Sequence, residues 1–351
     1  MGCDPYILAA LRTPRGKGSA KGALHAIEPI ALVTHLLDAL HGEAFPVDDV
    51  ILGCANPTGE QAGNLARAAL LAAKWKTDVP GFMVNRYCTS GLDAIAIAAS
   101  KVRARDASLV IAGGVESVSR VAPPAMLGDI GPAADRCAAM DGIGREECDA
   151  YAHATREKAK GAPRGGSIVP LVGLERDENT AFQPTVDELA AMPPLFGGVH
   201  TRGNSPSLAD AAALTLVGDG EAARRIGLAP RARIVATASA AADPVVMLTA
   251  GQTAVEKVLA RANIRAADVA VFEFAEAFAA LCVRFMRALD VGHDRLNPTG
   301  GTIARGHAYG ATGAALVVDA LEQLERRNGR YAVIGVSGAA GLGAAMLIER
   351  V

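Results

Sequence analysis

The chain has 351 residues, with 35 Lys and Arg against 37 Asp and Glu, and half of it is apolar while only 4% is aromatic. A net charge of −2 with scattered basic residues excludes the positive field of a nucleic-acid or anionic-membrane binder and points to a small, neutral partner. That apolar content excludes disorder, and no apolar run approaches the roughly 18 residues of a membrane span.

In chain order, the pattern predicts a strand at 6–10, a helix at 29–41, a strand at 49–53 and an Ala-rich helix at 64–74. A strand at 81–85, a helix at 90–103 and a strand at 108–113 follow. This β/α alternation argues for a mostly parallel sheet with helices on both faces. From about 118 to 205 Pro and Gly recur and apolar periodicity is intermittent, which reads as an excursion from the sheet, a lid or a substrate-contact region. Alternation resumes at 211–217 and 232–237, then a helix at 254–262, a strand at 269–274 and a helix at 277–289. A Gly-rich turn, a helix at 310–326 and strands at 331–336 and 344–349 complete the chain.

The two ends are built alike. In each, a small-residue turn carrying one reactive side chain, Cys88 or His307, opens an apolar helix that leads to a strand ending in Gly113 or Gly335. Such an echo predicts two similar α/β halves with Cys88 and His307 at their seam.

Cys88, in NRYCTSGLDAIAIAAS, sits between a strand and a helix. A thiol there meets the positive end of the helix dipole, which favours the nucleophilic thiolate; the plainer reading is one more buried cysteine. The other five cysteines (Cys3, Cys54, Cys137, Cys148, Cys282) lack this placement and form no C-x-x-C pair or metal-like group, so they read as inert thiols in a reducing compartment. His307, in NPTGGTIARGHAYGATGAA, has five glycines around it between Gly300 and Gly313, a setting for close approach of a ligand to a base or oxyanion donor. Neither IAGGVES nor GVSGAAGLGAA has the spacing of a dinucleotide cradle. Glu273 and Glu276, three apart near a strand end, either aim a carboxylate at the site or serve as helix N-terminal acids. The start MGCDPYILAA lacks a secretory layout, and Tyr6 stands where a myristoylation signal requires Ser or Thr, so a cytoplasmic protein is expected.

NRYCTSGL, LVIAGGVESVSR, FEFAEAFAA, NPTGGTIARGHAYGATGAA and GVSGAAGLGAAMLIE follow in order the landmarks of the thiolase family, and RTPRGKG, GNSPSLADAAA and ADPVVML match as well. The chain resembles most the degradative 3-ketoacyl-CoA thiolases, though it is shorter than is usual for them. The resemblance implies an α/β, thiolase-like fold of two similar halves with mixed, mostly parallel sheets and layered helices, plus an inserted loop domain. The halves would be 1–118 with 206–243, and 244–351, around a shortened loop domain at 119–205. It implies a homodimer or homotetramer acting on an acyl-CoA or other acyl thioester, with no cofactor or metal beyond coenzyme A as substrate carrier. Cys88 would be the acylated nucleophile and His307 its base and a donor of one oxyanion hole. The backbone N–H groups of Cys88 and Ala339 would form the other, and residues 205–207 (Ser205, Pro206, Ser207) with Met247 would lie along the substrate arm.

Several positions depart from the family pattern. Its N-E-A-F motif reads Ala275-Glu276-Ala277-Phe278, so the Asn that holds an oxyanion-hole water is lost. Its C-x-G motif reads Ser337-Gly338-Ala339, replacing the proton-transferring thiol by a hydroxyl far too weak as a base. Its G-H-P turn reads Gly306-His307-Ala308, and the serine along the pantetheine arm is Pro206. Three readings follow: an acyltransferase that forms an acyl-Cys88 thioester with an altered carbon–carbon step; an ordinary 3-ketoacyl-CoA thiolase in which Glu276 or a water moves the proton; or a non-catalytic thiolase-like subunit.

Overall fold

The computed structural model describes residues 3–40, 45–121 and 130–351. The lipidation-like start at Met1 and part of the shortened stretch after Val118 lie outside them. The first half runs β1 (Tyr6–Arg12), β2 (Gly16–Lys17), α1 (Pro29–Ala39), β3 (Asp49–Gly53), α2 (Leu65–Ala72), β4 (Gly81–Val84), α3 (Ser90–Ala104) and β5 (Leu109–Ser117). An inserted region carries α4 (Ile130–Met140), α5 (Arg145–Gly161) and α6 (Val186–Ala191), and β6 (Ala209–Gly218) and α7 (Gly220–Ile226) return to the sheet. The second half is β7 (Ala232–Ala241), α8 (Ala250–Ala262), β8 (Val271–Phe274), α9 (Ala279–Leu289), α10 (Thr302–Arg305), α11 (Tyr309–Arg327), β9 (Tyr331–Gly338) and β10 (Leu342–Arg350).

The expected repeat is present in the strand order. The sheet runs β4-β3-β5-β6-β1-β7-β10-β9-β8, so β3-β5-β6-β1 is matched by β8-β9-β10-β7. In both halves a parallel pair, β3 with β5 or β8 with β9, is followed by antiparallel neighbours. The expectation of mostly parallel sheets is corrected here: three described pairs are parallel and six antiparallel, because only the helical crossovers from β3 to β4, on to β5, and from β8 to β9 return the chain in the same direction. The half-sheets also join into one, through Tyr6 opposite Arg233 and Ile7 opposite Ala232. β7 pairs along its length with β10.

Strand alternation builds the layers. Ile51, Val110 and Ala213 of one half-sheet and Ile334, Val336 and Met346 of the other share a core with α3 and α11 between them. The alternate residues Val50, Leu52, Ile111 and Leu214 face α1 and α2, while Phe272, Phe274, Val333 and Leu347 face α8 and α9. Small residues let the central helices touch: a Cβ at Gly91 would stand 2.5 Å from the Gly310 carbonyl oxygen, and one at Gly313 2.7 Å from Leu92 Cβ. The 118–205 region leaves the sheet as expected, but its described residues include three helices, α4, α5 and α6. Its α5 presents Cys148, Tyr151 and Ala152 to the α8–α9 core, a stripe hidden by the polar residues around it.

A buried ionic cluster ties this region to both halves. Asp177 accepts from Arg12 Nη1 (2.7 Å), Arg305 Nε (2.7 Å) and the Arg15 backbone N–H (2.9 Å). Asp319 of α11 accepts from Arg12 Nε (3.0 Å), Arg15 Nη2 (2.9 Å) and Arg305 Nη2 (3.1 Å). Burial by itself raises the Asp177 carboxyl, but Arg12, Arg305 and Arg15 together hold it far below the usual carboxylate range.

Two outcomes are expected of the fold. Gly91→Val forces α3 and α11 apart and lowers the unfolding free energy by about 3 kcal/mol, read from urea midpoints. Asp177→Ala strands three buried guanidinium groups and costs about 3–5 kcal/mol at pH 7. Because the native carboxyl titrates below its unfolded value of about 3.9, its contribution is complete above that pH and fades as the pH falls below it, so wild type and Asp177→Ala converge in strong acid.

Candidate active site

Residues 85–90 form a pinned turn between β4 and α3. Ser90 Oγ accepts from the Arg86 N–H (2.8 Å), Tyr87 N–H donates to Asn85 Oδ1 (3.0 Å), and Tyr87 takes a left-handed φ of 51°. Arg86 Nη1 donates to Asp93 Oδ1 (2.6 Å) and Thr89 Oγ1 donates to Asp93 Oδ2 (2.6 Å). Cys88 is thereby held still just ahead of α3. The backbone N–H groups of Ala339 and of Cys88 itself lie against its sulfur.

His307 is clamped by backbone pairing. Its N–H donates to Ser207 O (2.7 Å) and its carbonyl accepts from Ala209 N–H (3.1 Å), after a left-handed Gly306 with φ 110°. Ring Nδ1 lies 2.8 Å from Thr312 Oγ1, so with the Nδ1 proton on that bond Nε2 is the basic nitrogen.

Cys88 and His307 line one cavity of about 260 Å³ with Ser205, Pro206, Ser337, Gly338 and Ala339. Ile130, Leu195, Phe196, Leu208, Leu248 and Phe278 supply its apolar wall, and Leu195, Phe196 and Leu208 are exposed at its rim. The described lining contains no Lys, Arg, Asp or Glu, and the Ser205 hydroxyl is buried without a partner.

Burial opposes the thiolate that the position ahead of α3 favours. Burial, reinforced by the Glu116 charge, pushes the Cys88 thiol up to about 12 despite the two N–H donors. Burial, with the positive charge of Arg15 added, lowers His307 to about 4. Burial thus favours a neutral thiol and a neutral imidazole at rest.

Other sequence candidates lie elsewhere. Glu276 is not in the cavity wall: its carboxylate accepts from Tyr151 (2.8 Å), Thr155 (2.7 Å), Asn297 (3.0 Å) and the Ile303 N–H (2.8 Å), which makes it the anchor of the loop before α10. Glu273 points into the buried cluster, where burial and Asp319 raise its carboxyl pKa. Ala275 is in the core, its N–H on Gly335 O at 2.9 Å. Met247 packs against Ala133 and Leu281 while its neighbour Leu248 takes the wall, and Ser207 serves through its carbonyl on His307. Ser337 is at the cavity, but its hydroxyl donates to Leu248 O (2.6 Å) and accepts from Gly251 N–H (3.2 Å). Sequence reasoning missed the apolar wall, whose members carry no motif, and Tyr309, which lay unassigned inside one.

Models of the thiolase N-terminal domain match residues 5–129 and 126–221, and that of the C-terminal domain matches 228–350. The chain belongs to the thiolase family. This thiolase is 35% identical to the 3-oxoadipyl-CoA/3-oxo-5,6-dehydrosuberyl-CoA thiolase of Escherichia coli K12, over 99% of this chain and all of that one. It is 33% identical to the 3-ketoacyl-CoA thiolase of Bacillus subtilis 168, over 99% of each. The crystal structure of the Bacillus anthracis acetyl-CoA acetyltransferase superposes with a TM-score of 0.93 at 29% identity, covering 100% of this chain and 99% of that one. The chain is thus an acyl-CoA acyltransferase of the thiolase type. Among the described residues no helix is long and apolar enough to cross a membrane.

The neutral resting pair has a direct consequence. Alkylation of Cys88 by iodoacetamide, followed by peptide mass mapping, is expected to accelerate continuously from pH 6 to 9. A plateau between pH 6 and 8 would instead mark a preformed thiolate.

Proposed function

We propose that this thiolase-family acyltransferase carries the acyl group as a Cys88 thioester and that its carbon–carbon step is altered. His307 takes the Cys88 proton as sulfur attacks the acyl-CoA carbonyl, and the N–H groups of Cys88 and Ala339 receive the developing oxyanion. The proton passes to the departing CoA thiolate. Coenzyme A serves as substrate carrier, with no further cofactor.

The observation that carries the altered step is the Ser337 hydroxyl. In the position of the family's proton-transferring thiol, its hydrogen is committed to Leu248 O and its lone pair to Gly251 N–H. A hydroxyl so engaged has neither the basicity nor the freedom to take a proton from an α-carbon. Glu276, the other group considered for that proton, has its oxygens occupied away from the cavity.

The acyl group is read as neutral and apolar. The described wall carries no charge and no Lys or Arg that would meet a terminal carboxylate. Ser205 offers its unpaired hydroxyl to the substrate arm, beside Pro206. A homodimer or homotetramer is consistent with β4, an edge strand with an exposed Phe82 that a second copy can extend.

Intact-mass measurement tests the reading. Hexanoyl-CoA is expected to label the wild type but not Cys88→Ala, and faster than adipyl-CoA does. Thiolysis of acetoacetyl-CoA is expected to run at least a hundredfold below acyl exchange, and Ser337→Cys to raise it tenfold or more. Absence of any Cys88 adduct refutes acyl transfer, and wild-type thiolysis as fast as exchange refutes the altered step.

A further inference from the structure

Tyr309 opens α11 and lines the cavity beside Cys88 and His307. Its ring stands edge-on to the His307 imidazole, with centroids 5.4 Å apart and planes at 89°. Its φ of 31° is a left-handed value that an aromatic residue adopts only when its surroundings enforce it. They do so here: the next N–H, of Gly310, donates to the buried Glu116 carboxylate at 2.9 Å, and a Cβ at Gly310 would meet Ala55 N at 2.5 Å. Strain of this kind gathers at sites where a side chain must be aimed. Among the described residues the Tyr309 hydroxyl has no hydrogen-bond partner, so its one donor is free for a ligand. Burial, with the charges of Cys88 and Glu116, raises its pKa and keeps the proton on the phenol.

We propose that Tyr309 is a catalytic hydrogen-bond donor, its O–H bound to the thioester carbonyl oxygen of the acyl-CoA that lies against His307. This rests on the acyl-Cys88 reading. As the Cys88 sulfur adds to the carbonyl carbon, His307 takes the thiol proton and the carbonyl oxygen gains charge. The phenol hydrogen bond tightens onto that oxygen without transferring its proton. Collapse of the adduct breaks the C–S bond to CoA, and the His307 proton leaves on the CoA sulfur. The donor on Tyr309 thus joins the N–H groups of Cys88 and Ala339 on the oxygen that gains charge.

The test is the single-turnover rate of Cys88 acylation by hexanoyl-CoA in wild type and Tyr309→Phe, which keeps the ring against His307. Loss of one preorganised donor is expected to cost about a hundredfold at saturating acyl-CoA, with half-saturation unchanged. Alkylation of Cys88 by iodoacetamide, which develops no oxyanion, is expected to stay within twofold. A drop in acylation of less than tenfold overturns the assignment, as does an equal drop in alkylation, which would mean that the tyrosine acts only through the thiol. A wild type that never acylates overturns the acyl-enzyme reading along with it, whereas normal acylation by Tyr309→Phe leaves that reading standing.

Discussion

The crossing of α3 and α11 is the contact on which the site depends. Each helix belongs to a different half, each lies between the two half-sheets, and each is preceded by the reactive residue of its half. Because Gly91, Gly310 and Gly313 carry no Cβ, backbone meets backbone at the crossing, and the two N-terminal turns come within reach of one substrate. Larger residues would move apart the turns that bring Cys88 and His307 to one cavity.

Rigidity of the rest serves that crossing. Glu116 reaches from β5 to the Ala55 and Asn56 N–H groups and to the first turn of α11, joining the first half to the helix that His307 precedes. The cluster of Arg12, Arg15 and Arg305 with Asp177 and Asp319 does the same from the other side, linking β1, the inserted region, α10 and α11. Such a cluster is weak as a source of net stability, since desolvation opposes the attraction, but it fixes geometry because any displacement leaves a buried charge alone. It also leaves a positive field at His307, which favours the neutral imidazole that a base must be.

In the cavity, backbone N–H groups lie against the Cys88 sulfur, the Ser337 hydroxyl ties β9 to α8, and Ala275 fills core; the proposed acyl transfer with an altered carbon–carbon step rests on that division. A neutral resting pair suits such a site, because a buried thiolate with no substrate present would be costly to hold in an apolar pocket.

Much of this was legible in the chain itself. Periodicity located α3, β3 and α11 to within a residue or two, since small apolar runs bounded by Gly and polar turns allow few alternatives. The echo of Cys88 and His307 anticipated the paired halves, because a duplicated topology repeats its turn chemistry. Strand direction was not legible: β6 and β10 have the apolar content of any central strand, and pairing direction depends on which partner the returning chain meets. Nor was the state of Cys88, since a helix dipole acts locally while burial sums over every neighbour. The elements of the two half-sheets, the repeat, the family and the two candidate reactive residues follow from local order along the chain. That Glu276 is an anchor, that Ser337 is already engaged and that Tyr309 lines the cavity with a hydroxyl bonded by no described residue emerges only from the folded chain. Hydrogen-bond partners come from segments far apart in the chain, and no local pattern records them.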